Sequence, residues 1–110
     1  MRLNVDGREI ETTEAGFLVD AAAWDERVAA ALAARIPIAL TEAHWEVVRF
    51  LRGYYFRFHH LPNNRMFVKA VQKELGEQKG NSRYLHRLFP ESPVKYACMV
   101  AGLPKPPACI

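Results

Sequence analysis

Thr41-Glu-Ala-His-Trp45-Glu-Val-Val-Arg-Phe50-Leu-Arg-Gly-Tyr-Tyr55-Phe-Arg-Phe-His59 decides how the rest of the chain must be arranged. Trp45, Val48, Leu51, Tyr55 and Phe58 recur at three- and four-residue spacing, the period of one helical face. Val47, Phe50 and Tyr54 widen that stripe, so the segment predicts a central helix over about 42–59, contacted on several sides. Thr41 supplies an N-cap oxygen, and Glu42 puts a negative charge in the first turn, where the helix dipole favours it.

Shorter elements follow on either side. Pro62-Asn-Asn breaks the central helix, and Arg65 to Leu75 forms another, with Phe67, Val68, Val71 and Leu75 inward and Gly76 as its stop. Lys79-Gly-Asn-Ser82 is a loop and cap before a short helix ending near Phe89-Pro90. Pro93 suits the first turn of a last helix over Val94 to about Ala101, closed by Gly102. Upstream, an alanine-rich helix runs from about Ala22 to Arg35, with Trp24, Val28, Leu32 and Ile36 one turn apart, until Pro37 ends it. Asp6-Gly7 between the apolar pairs Leu3/Val5 and Ile10 predicts a two-residue β-hairpin turn. The expected fold is mainly α: a compact bundle of about five helices with an N-terminal hairpin. Residues 1–101 form one domain and 102–110 a flexible C-terminal arm.

Composition agrees with that class. The chain has 110 residues, 50% apolar and 25% charged, as in a globular domain with one core. It has no apolar run near the roughly 20 residues that span a bilayer, so no membrane insertion is expected. Met1-Arg-Leu-Asn-Val-Asp6 lacks a signal peptide's layout, which points to the cytoplasm. Charge is uneven: residues 1–51 hold five Arg/Lys against nine Asp/Glu, and residues 52–110 hold ten against three. The second half therefore presents a positive field that favours acidic partners. Lys79, Arg83, Arg87 and Lys105 are its candidate docking residues.

Both cysteines lie in that basic half, within the last thirteen residues. Cys98 falls on the apolar stripe of the last helix, so it is either a small buried hydrophobe or a second, resolving thiol. Cys109 lies beyond Gly102 and three prolines, Pro104, Pro106 and Pro107, that cannot form a helix. At about 3 Å per residue the stretch could carry its sulfur roughly 20 Å from the helix end. Reactivity requires the thiolate; Lys105 and the basic surface favour it, while a carboxylate on Ile110 opposes it. If the arm folds back, Cys109 could bond to Cys98, provided the Cα atoms come within about 7 Å. His44, His59, His60 and His86 show no closed-site spacing, so neither a metal nor a cofactor is expected. No histidine is placed as a base for Cys109. Arg65, Lys69, Lys73, Lys79, Arg83 and Arg87 could instead mimic a helix-turn-helix, leaving a nucleic-acid-binding regulator as the alternative of another class.

The chain resembles the DsrC/TusE family of sulfur carriers over nearly its whole length. The resemblance is carried by Glu14-Ala-Gly-Phe-Leu18, Leu40-Thr-Glu-Ala-His-Trp-Glu-Val-Val-Arg-Phe-Leu51, Lys79-Gly-Asn-Ser-Arg-Tyr-Leu85, Leu88-Phe-Pro90 and Ala101-Gly-Leu-Pro-Lys-Pro106 followed by Cys109. It implies that Cys109 carries sulfur, as a persulfide or bridged sulfide, on a mobile arm. The protein would then be a sulfurtransferase component rather than an independent catalyst. Two cysteines together look like the dissimilatory branch, which implies a siroheme sulfite reductase as partner. The upstream partners implied are TusA-like or DsrEFH/TusBCD-like sulfurtransferases. The alternative branch is the relay for tRNA 2-thiouridine synthesis.

Overall fold

A computed structural model describes residues 1–107 and holds, among them, a two-stranded antiparallel sheet and five α-helices. Strand β1, Arg2–Val5, pairs with β2, Arg8–Glu11, in the register Leu3 to Ile10. Asp6 and Gly7 link them with φ of 51° and 84°. Positive φ at both central residues is what the predicted hairpin turn requires. The sheet's apolar face, Leu3, Val5 and Ile10, packs with Leu18 on Val28 and Leu32 of helix α1, Glu26–Arg35.

Helix α1 starts four residues later than its alanine pattern suggests. Asp20 caps a separate 3-10 turn, Ala21–Ala23, and Asp25 accepts the Val28 N–H at 2.9 Å as the true N-cap. Two aspartates five apart thus divide the run, because each side chain competes for backbone donors. Trp24, expected on the helix face, stands in the extended link between the two.

Helix α2, Glu42–Phe58, is buried along its first half only: His44, Val47, Val48 and Leu51 sit in the core. Its last two turns leave Phe56 and Phe58 50% and 47% exposed, so the expected multi-sided burial stops near Tyr55. His44 is buried. Its Nδ1 accepts the Thr41 N–H at 3.1 Å, and its Nε2 lies 2.7 Å from the Leu88 carbonyl oxygen. An acceptor at Nδ1 leaves the ring proton on Nε2, which donates to that carbonyl. One neutral imidazole therefore ties the start of α2 to the end of α4, Ser82–Leu88.

Helix α3 spans Asn64–Leu75 and α5 spans Pro93–Val100, each shifted by one residue from the sequence expectation. The main core joins Val47, Val48 and Leu51 of α2 to Phe67 and Val71 of α3, Leu85 and Phe89, and Val94 and Ala97 of α5. No helix among the described residues is long and apolar enough to cross a membrane.

Candidate functional site

Cys98 is fully buried on α5, among Val94, Ala97 and Val100 of the main core. It is also the third residue from the helix end, counted back from the C-cap Ala101, in a closed C-terminal motif. The Gly102 N–H donates to the Met99 carbonyl at 3.1 Å, and the Leu103 N–H donates to the Cys98 carbonyl at 3.0 Å. This is a Schellman closure, whose glycine takes positive φ; here φ is 68°. The accompanying apolar residue, Leu103, is fully buried.

Three further groups fix the point where the chain leaves α5. The Trp24 indole N–H donates to the Val100 carbonyl at 2.8 Å. Arg52 Nη1 donates to the Ala101 carbonyl at 2.8 Å, and its Nη2 reaches the Ala21 carbonyl at 3.3 Å. The guanidinium carbon lies 4.2 Å above the Trp24 ring and 5.0 Å from Phe56. A side chain at Gly102 would collide with the Trp24 ring. The terminal carbonyls of α5 thus end on an indole donor and a cation, the charge a helix C-terminus favours. Burial holds the Arg52 pKa below its usual value.

The proline segment continues along the body rather than leaving it at once. Leu103 and Pro106 are buried, while Pro104, Lys105 and Pro107 are exposed. Pro104 and Lys105 border a cavity of about 490 Å³ shared with Phe17, Leu18 and Val19. Its other wall is therefore the Glu14–Leu18 stretch singled out in the sequence. Cys109, with Ala108 and Ile110, lies outside the described residues.

The candidate docking cations are dispersed. Lys105 stands on the tail; Arg83 and Arg87 are exposed on α4. Lys79 is held 2.7 Å from Glu46, a contact that raises its pKa, and borders a separate cavity with Glu42 and Tyr84. Among the described residues no cluster of His, Cys, Asp or Glu could hold a metal ion. Sequence reasoning missed Trp24 and Arg52 as determinants of the tail. Trp24 was hidden by the alanine pattern, and Arg52 carries no signal beyond a polar position on a helix.

Comparison with known proteins decides the family. The family model for DsrC like protein matches residues 4–110. The chain belongs to the DsrC family. It is 54% identical over 108 residues to Sulfurtransferase TusE of Pectobacterium atrosepticum, covering 98% of this chain and 99% of that one. It is 51% identical over 105 residues to Sulfurtransferase TusE of Escherichia coli, covering 96% of each. Among solved structures it superposes on Allochromatium vinosum DsrC with a TM-score of 0.90 at 44% identity, covering both chains fully. The oxidized gamma-subunit of dissimilatory sulfite reductase from Archaeoglobus fulgidus gives 0.85, also at 44% identity and full coverage of both. The five-helix fold and hairpin are thus the DsrC fold. The sulfur-carrier resemblance holds, but these TusE relatives are more similar in sequence than the DsrC chains, against the branch suggested by two cysteines.

Proposed function

We propose that this chain is a sulfur-relay carrier of the TusE type, working in tRNA 2-thiouridine synthesis, with Cys109 as the carrying thiol. The observation that carries this reading is its greater identity to the TusE-named relatives, over nearly full length. Cys109 thiolate attacks the outer sulfur of a donor protein's persulfide. A new S–S bond forms on Cys109, the donor's S–S bond breaks, and the donor leaves as thiolate. An acceptor thiolate takes the outer sulfur by the same exchange, so neither step needs an external oxidant or reductant.

The anchored tail supports the relay geometrically. Pro106 is buried on the body, so three residue steps lead from it to Cys109, a reach of about 10 Å rather than 20. A thiol so tethered meets a partner docked close to the Trp24–Arg52 clasp. Cys98, inside the core, is out of reach of a docked protein, so as a resolving thiol it would act on Cys109 of the same chain. In that step Cys98 thiolate attacks the inner sulfur of the Cys109 persulfide, forming the disulfide and releasing hydrosulfide.

Reconstitution tests the branch. The radiolabelled persulfide form is mixed with a tRNA thiouridylase, ATP and unmodified tRNA, or with a siroheme sulfite reductase. Label appearing in tRNA, and lost with Cys109→Ser, supports the relay. Label accepted only by the sulfite reductase would return the protein to the dissimilatory branch.

A further inference from the structure

The face of α2 that carries Phe50, Tyr54 and Phe58 lies away from Arg52 and takes no part in holding the tail, and its chemistry is distinctive. Phe50, Tyr54 and Phe58 stand one turn apart, with ring centroids 6.3 and 4.9 Å apart, and His60 closes edge-on to Tyr54 at 5.8 Å. The three α2 rings line an open groove of about 510 Å³ between α2 and α3. Arg49, Arg57 and Lys73 rim it, against one acid, Glu74. Arg57 lies 5.2 Å from the Phe58 ring, and Arg49 pairs with Glu26 at 3.0 Å.

Charge elsewhere in this half is equally uncompensated. Of the ten Arg/Lys after residue 51, Lys79 alone is in an ion pair among the described residues. Four of the five ion pairs there involve cations from the first half, at Arg2, Arg8, Arg27 and Arg49. The acidic half is thus matched internally, and the basic half is left to be matched from outside. Residues Arg65 and Lys69 extend the ridge of Lys73 along exposed α3.

We propose that the α2–α3 groove binds a single-stranded stretch of RNA, its bases against Tyr54 and Phe58 and its phosphates on Arg57 and Lys73. Half-buried Tyr54 and exposed Phe58, beside cations outside any ion pair among the described residues, suit this ligand because every base has a face to stack and every nucleotide a negative charge. An acidic protein segment would satisfy the cations but gain less from a ladder of rings. On α2, Tyr54 lies two and Phe58 six positions beyond Arg52, which places the ring face across the helix from the tail clasp. RNA could therefore occupy this side while a sulfur partner engages the other. The choice of RNA rests on the tRNA-thiolation reading; the groove and its unpaired charges do not.

Fluorescence anisotropy with the full-length chain tests it, using a labelled RNA stem-loop, a blunt RNA duplex of equal length and an acidic peptide of equal charge as probes. The stem-loop binds best. Tyr54→Ala with Phe58→Ala weakens it by tenfold or more, as expected for losing base stacking. Tyr54→Phe retains most of the affinity, and Arg57→Gln with Lys73→Gln lowers the salt slope by roughly 1.4, as loss of two phosphate contacts to a single strand implies. Equal binding by the duplex, tighter binding by the acidic peptide, or indifference to the ring substitutions in a folded variant overturns the proposal. Cys109→Ser leaves RNA affinity unchanged. A wild-type chain that binds the stem-loop but never loads sulfur would refute the relay reading and leave the groove assignment standing.

Discussion

The tail base and the far half of α2 are built from similar residues and put to opposite use. Around Gly102, an arginine, a tryptophan and a buried leucine take up backbone hydrogen bonds and apolar surface until little is left over. Around Tyr54, Arg57, Phe58 and Lys73 stay open to solvent, and neither Arg57 nor Lys73 is in an ion pair among the described residues. An Arg–aromatic pair fixes a chain direction when its donors reach carbonyls, and forms a receptive surface when they do not. Arg52 and Arg57, five residues apart on one helix, are the two cases.

Substitutions sharpen that contrast. Gly102→Ala should be the most damaging, costing about 2–4 kcal/mol in urea unfolding, since it adds a disfavoured positive φ to overpacking against Trp24. A cost below about 0.5 kcal/mol, the range of ordinary surface changes, would mean that the clasp yields easily. Arg52→Met should cost about 2 kcal/mol, from charge-assisted hydrogen bonds lost and a helix-end carbonyl left unmet. His44→Ala should cost about 1–3 kcal/mol for the same reason at Leu88, without altering the tail. Tyr54→Ala and Phe58→Ala should each change stability by about 0.5 kcal/mol or less, as surface substitutions do. A large loss of stability there would turn the groove into a packing feature and erase the contrast.

Much of the fold was legible because its signals are local. Asp6-Gly7 specified the hairpin, and the Pro62-Asn-Asn break, the Lys79–Ser82 loop and cap, Pro93 and Gly102 marked helix ends that the structure reproduces within a residue. The α2 stripe identified a long helix but not where its burial stops, since apolar periodicity does not reveal how far neighbouring helices extend. The site was legible only in part. Cys98 fell on the apolar stripe as expected, but its closure depends on Trp24 and Arg52, which lie 76 and 49 residues from the carbonyls they hold. Contacts of that separation leave no spacing to read. Packing as far as Pro106 was likewise invisible, because a proline-rich stretch looks the same whether it lies on a surface or projects from it.

The decisive measurement is the intact mass of the reduced protein after exposure to a persulfide donor, in wild type, Cys98→Ser and Cys109→Ser. Wild type and Cys98→Ser should each gain one sulfur atom, assigned to Cys109 by peptide fragmentation, and Cys109→Ser should gain none. Sulfur taken up equally by Cys109→Ser would contradict the carrier role given to this residue.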